Sequence, residues 1–186
     1  MKLNHLLIPL AVVVAGVFLA GTASATYPGS TNGRVAFGMN VNGNIDIYSS
    51  LPNGKAVQRL TSDPGFDACP AYSADGKQIV FCSNQSGSFE IWTMQQNGNK
   101  QTQLTHLDAH ATFPDFSPDG SKIAFDANGV NGDPNDDIYV INSDGTGLRQ
   151  LTTDAGNNDY PAWSPNGSLQ FRGYRSNGSP QPPAYR

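Results

Sequence analysis

The chain has 186 residues with 15 acidic and 11 basic side chains, and its net charge of −4 excludes a simple phosphate-binding surface and with it nucleic acid as a partner. Its 17 asparagines, eight of them followed by glycine, and three Asp-Gly pairs carry the turn chemistry of many short strands and exclude a helical protein. Two cysteines exclude a disulfide scaffold and a cysteine-rich zinc site.

Residues 1–25 read as a secretory signal peptide. Lys2 supplies the basic start, Leu6 to Ala20 an uncharged apolar run, and Ala23-Ser24-Ala25 the small residues before a cleavage site. A retained membrane anchor is the weaker reading, because the run holds Pro9 and Gly16 and falls short of the roughly 20 apolar residues a span needs. The expected location is periplasmic or secreted, with no membrane span after cleavage. The remainder divides into repeats over 26–175 and a Pro-rich tail over 176–186.

The repeat is explicit. Leu60-Thr61, Leu104-Thr105 and Leu151-Thr152 recur at spacings of 44 and 47. Asp46-Ile47-Tyr48, Glu90-Ile91-Trp92 and Asp137-Ile138-Tyr139 recur at the same spacings, as do the turns at Gly76, Gly120 and Gly167. From each of those isoleucines to the following Leu-Thr is 13 residues in all three copies. The copies lie at 33–61, 68–105, 112–152 and 159–175. In the second, the spacing predicts strands over 68–73, 78–83, 88–94 and 102–105. Four short antiparallel strands per copy, joined by Ser-Pro-Asp-Gly and Asn-Gly turns, predict an all-β partial β-propeller of about three to four blades. Ile79, Phe81, Ile123 and Phe125 are expected between blades, and Tyr48, Trp92 and Tyr139 in one equivalent core position.

Two segments carry the closest parallel to a known family. Pro114-Asp115-Phe116-Ser117-Pro118-Asp119-Gly120-Ser121-Lys122-Ile123-Ala124-Phe125 and Asp137-Ile138-Tyr139-Val140-Ile141-Asn142-Ser143-Asp144-Gly145, closed by Leu151-Thr152, resemble the WD-like repeat of TolB-type propellers. Pro161-Ala162-Trp163-Ser164-Pro165-Asn166-Gly167 is a further match. The resemblance implies a scaffold that binds partners through the channel end or one face of the ring. It also implies a larger ring, and an α/β domain ahead of it, than the repeats here would build. Thirteen strands are expected, three, four, four and two in the successive copies. The last copy departs from the pattern, with four residues from Gly167 to Phe171 where Gly120 to Phe125 spans five. A partial ring leaves blade faces uncovered, so self-association that completes the ring is one expectation, and a truncated gene remnant another.

Three sets of residues invite a chemical reading. His106, Asp108 and His110 form H-x-D-x-H, a weak candidate for zinc or manganese. Asp133, Asn135 and Asp137 echo the start of a calcium loop, without its glycine and its closing glutamate. Cys69 and Cys82 lie on adjacent strands of one hairpin. A two-residue turn would set them opposite and permit a disulfide, whereas a bulge would shift them by one and misalign them. No nucleophile elbow, P-loop, dinucleotide fingerprint or H-E-x-x-H motif is present, so no catalytic residue and no resident cofactor is expected. The expected function is an exported, non-catalytic propeller scaffold for a protein or peptide. Its working loops would be Asp63-Pro64-Gly65-Phe66-Asp67 and the stretch from His106 to Thr112. The alternative is a metal-dependent lyase or hydrolase, or a carbohydrate-binding propeller, using loop residues.

Overall fold

The computed structural model describes residues 33–153 and 155–174. The leader read over 1–25 and the tail over 176–186 lie outside the described residues.

Among the described residues, thirteen strands form four antiparallel sheets in chain order. The first sheet holds β1 (Val35–Val41), β2 (Asn44–Ser50) and β3 (Gln58–Arg59). The second holds β4 (Asp67–Tyr72), β5 (Gln78–Ser83), β6 (Glu90–Gln95) and β7 (Thr102–Gln103). The third holds β8 (His110–Phe116), β9 (Lys122–Asn128), β10 (Asp137–Asn142) and β11 (Arg149–Gln150). The fourth holds β12 (Asn158–Trp163) and β13 (Leu169–Gly173). Within each sheet the strands neighbour one another in sequence order, the meander of a propeller blade. The first strands β4, β8 and β12 meet from sheet to sheet, which places them towards the ring axis.

The core follows from the repeat. Ile79, Phe81, Ile123 and Phe125 are fully buried. Phe37 pairs with Tyr48, Phe81 with Trp92 and Phe125 with Tyr139 across the second and third strands of successive blades. Two of these pairs stack, at centroid distances of 6.2 Å and 5.7 Å. The Ser-x-Asp-Gly turns close themselves: Ser117 Oγ donates to Asp119 Oδ1 at 2.6 Å and accepts from Lys122 N–H at 2.9 Å. Ser73 and Asp75 repeat the arrangement, and Ser164 and Asn166 approximate it. The shortened last copy is absorbed in its turn. Ser164 N–H reaches Ser168 O, where Ser117 N–H reaches Lys122 O, and Leu169 enters the buried place of Ile123. The insertion in the third copy forms a short 3-10 turn at Val130–Gly132.

One regular feature lies beyond the expected pattern. Each first strand shifts register by a bulge, at Cys69-Pro70, Phe113-Pro114 and Tyr160-Pro161. The residue before each proline is left-handed, with φ of 52°, 48° and 53°. Proline cannot donate to the ladder, and the extra residue of a bulge takes it out of the pairing.

Candidate functional site

The loops from each outer strand to the next blade's first strand lie at one end of the sheets, because successive strands reverse direction. A buried carboxylate at the start of the neighbouring strand meets the chain that leads into each one. Glu90, at the start of β6, accepts from the Thr105 hydroxyl through Oε2 and from the N–H groups of Leu107 and Asp108 through Oε1, at 2.7 Å and 2.9 Å. Asp137 takes the same place in the third blade and accepts from Thr152 Oγ1 and Gln150 Nε2. Asp46 takes it in the first and pairs with Arg59 at 2.6 Å. In all three blades the threonine oxygen also accepts from the N–H of the following isoleucine, Ile47, Ile91 or Ile138. The recurring acid-Ile and Leu-Thr pairs, 13 residues apart, are thus two halves of one buried hydrogen-bonded latch. Their meaning as a pair was missed in the sequence, although the fixed spacing was its signal.

The latch turns the loop amides inward, while Leu107 packs against the core and Ala109 is buried. With the Leu107 and Asp108 amides held on Glu90, His106 and Asp108 are exposed. His110 opens β8 and meets the Phe89 ring edge-on at 4.9 Å. The three H-x-D-x-H side chains therefore face different surroundings. In the neighbouring loop, Phe66 N–H donates to Asn84 Oδ1 at 2.7 Å while its ring stands 42% exposed.

The calcium-like stretch is occupied by internal bonds. Asp133 Oδ1 accepts from the backbone and side-chain nitrogens of Asn135, and Asp137 belongs to the latch just described. Among the described residues no three His, Cys, Asp or Glu side chains gather as metal ligands.

Cys69 and Cys82 are free thiols. Next to the turn the hairpin has the register that would set them opposite, with Tyr72 on Ile79 and Ala71 on Val80. The bulge at Cys69-Pro70 then slips the pairing by one, so Ala68 faces Cys82. The two thiols still meet. The Cys82 thiol donates to the Ala68 carbonyl at 3.4 Å, and its interaction with Cys69 lowers Cys69 below the ordinary thiol value and raises Cys82 well above it, with burial adding to the rise at Cys82.

Towards the axis, the bulge residues of neighbouring blades touch. The rings of Phe113 and Tyr160 lie 4.2 Å apart, and the Arg172 guanidinium covers Tyr160 at 4.3 Å. Arg172 is held by both oxygens of Asp159, at 2.8 Å and 2.9 Å, which raises its pKa further.

Antiparallel sheets of up to four strands in sequence order, first strands towards one axis and latched loops at one end define the class: an all-β partial propeller. Residues 16–128, more than half of the chain, match the TolB beta propeller domain family, and the chain belongs to that family. Part of that match falls in residues outside the described structure. Similar solved structures include a putative TolB from Agrobacterium tumefaciens, 27% identical, with a TM-score of 0.69 over 78% of this chain and 52% of that one. TolB from Acinetobacter baumannii is 23% identical, with a TM-score of 0.64 over 82% of this chain and 43% of that one. An oligogalacturonate lyase from Vibrio parahaemolyticus is 15% identical, with a TM-score of 0.58 over 80% and 44%. The last two likenesses speak for the fold alone. The chain spans about half the length of these proteins. Comparison with curated proteins finds no match. Among the described residues no helix is long and apolar enough to cross a membrane.

Proposed function

We propose that this chain is an exported, non-catalytic scaffold whose latched loops bind a protein or peptide. One observation carries the reading. The loop backbones at 62–66 and 106–109 are tied down by Asn84 and Glu90, while Phe66, His106 and Asp108 project from them. A fixed backbone with outward side chains loses little conformational freedom on binding, which favours recognition over chemistry. Such a surface offers an aromatic anchor beside polar and ionisable groups, the composition of a recognition patch.

The test is site-specific photo-crosslinking in an envelope extract, with a photoreactive residue at the exposed position 108. The expected result is one discrete adduct that Phe66→Ala and His106→Ala abolish and Arg149→Ala, on the outer strand of the third blade, leaves intact. An adduct indifferent to the two loop substitutions overturns the assignment of this surface.

A further inference from the structure

The junction of the first and second sheets carries a facing pair of acids, Asp63 and Asp67, that the second copy does without. Asp67 opens β4 and is fully buried, and neither of its carboxyl oxygens receives a hydrogen bond of proper geometry. The same holds for the buried Oδ2 of Asp63 and Oδ1 of Asn44. These three residues form one cluster. Asn44 Nδ2 donates to the Asp63 carbonyl at 2.8 Å, and the Asp63 carboxylate faces Asp67 closely enough to raise its pKa, after the larger effect of burial. The hydroxyls of Thr61 and Ser83 stand beside Asp67 and oppose that rise, without completing a hydrogen bond of good geometry to it. An unpaired amide nitrogen, Gln85 Nε2, lies on the adjoining turn.

Buried acceptors normally have donors, and two carboxylates do not face each other in a protein interior without a positive partner or a shared proton. The next junction shows that the fold does not demand a pair of acids here, and at the third the equivalent of Asp67 is the buried amide Asn158, whose Nδ2 donates to the Gly156 carbonyl. Forty-four residues on, at the next junction, Leu107 and Ala111 stand where Asp63 and Asp67 stand here. There the loop is completed by Glu90, whose acceptors are filled by Thr105, Leu107 and Asp108. At the first junction the equivalent carboxylate, Asp46, is already taken by Arg59 and is no counter-charge. The loop at 133–137, by contrast, has its oxygens engaged by nitrogen donors.

We propose that Asp63, Asp67 and the Asn44 side-chain carbonyl bind a calcium ion that ties the first two blades together. The donor set is oxygen only, two carboxylates and an amide carbonyl, with two hydroxyls beside them. That is the mixture of charged and neutral oxygens that a hard, irregularly coordinated cation takes, and it offers nothing to a metal preferring nitrogen or sulfur. Two charges would balance the two carboxylates. Ser62, Pro64 and Phe66 on the covering loop are exposed, so the cluster lies just beneath the surface. The inference stands independently of the partner-binding reading, although the same loop serves both.

The experiment is isothermal titration of CaCl₂ into the EDTA-treated full chain, with Asp67→Asn, Asp63→Asn and Asp133→Asn variants, each checked by circular dichroism. One calcium per chain is expected for the wild type and for Asp133→Asn, with affinity reduced by about tenfold or more in Asp67→Asn and Asp63→Asn. Should Asp67→Asn not fold, Asp63→Asn, on the partly exposed loop, carries the comparison. Absence of binding at millimolar calcium means that the two acids share a proton and overturns the proposal. Unchanged affinity in both junction variants, or loss of binding in Asp133→Asn, overturns it equally.

Discussion

The backbone N–H of Trp163 donates to Oδ2 of Asp115 at 2.8 Å, across the junction of the third and fourth blades. Tyr160 N–H makes the companion contact to Asp126 Oδ2 at 2.9 Å, and Thr112 donates to the other Asp126 oxygen. Burial raises Asp115 from 3.8 to about 6 and Asp126 to about 7, against the hydrogen bonds that lower them. The folded state therefore holds these protons to higher pH than the unfolded chain does. Their contribution to stability is fully present below about 3.8 and is lost as pH rises through 6 for Asp115 and 7 for Asp126. Asp126→Asn should remove its share of this slope, on the order of 1 kcal/mol per pH unit between pH 5 and 7. Urea midpoints of wild type and variant across that range check the prediction. A constant difference between them at every pH would contradict it.

The latch makes a second prediction. Thr105 is buried, donates to Glu90 and accepts from Ile91 N–H. Thr105→Val keeps the shape and removes both bonds, leaving a buried carboxylate one donor short. The expected loss is about 1–3 kcal/mol in equilibrium urea unfolding. Thr105→Ser, which keeps the hydroxyl, should retain most of the stability. Thr152→Val should cost less, because Thr152 is only partly buried.

These two junctions also show what the sequence makes legible. The aromatic pairs and the buried isoleucines repeat with the chain, so Phe81, Phe125 and the Leu-Thr steps locate each sheet without any knowledge of its neighbours. Asp115 is different. It sits in a Pro-Asp-Phe-Ser-Pro-Asp-Gly run that reads locally as the approach to a solvated turn, and only the next sheet, 48 residues on, buries it. The bulges had a local sign, a proline inside each first strand at 70, 114 and 161, but their consequence for the cysteine register depends on which side of the bulge each residue falls. The acidic loops looked like metal ligands because spacing alone does not reveal which oxygens already accept from nearby nitrogens. At Asp63 and Asp67 the reverse holds: nothing in their spacing marks them, and their interest comes from burial without donors.

Three equivalent turn glycines separate backbone strain from crowding. Gly54, Gly98 and Gly145 all have positive φ, +75°, +85° and +86°. A Cβ on Gly54 would meet nothing within 4 Å, and on Gly145 only ordinary contacts from 3.6 Å. On Gly98 it would stand 2.5 Å from the backbone oxygen of Leu60 in the preceding blade. Gly54→Ala and Gly145→Ala should each cost about 1–2 kcal/mol, the left-handed penalty alone. Gly98→Ala should cost clearly more, because the first blade must shift to admit the methyl group. Thermal melts followed by circular dichroism rank the three, and equal costs would show that the blade contact yields freely.

The thiol pair is asymmetric in both access and acidity. Cys69 is partly exposed, with its pKa lowered by its interaction with Cys82, whereas Cys82 is buried and its pKa raised. The thiolate is the nucleophile, so the two should react in sequence. Iodoacetamide applied to the reduced, folded protein should label Cys69 first and reach Cys82 only when denaturant opens the hairpin. Peptide mass spectrometry at timed intervals gives the order. Replacing Cys82 with alanine removes the thiol beside Cys69 and should slow labelling at Cys69. Faster labelling of Cys69 in that variant would mean that contact with Cys82 shields the sulfur more than it activates it.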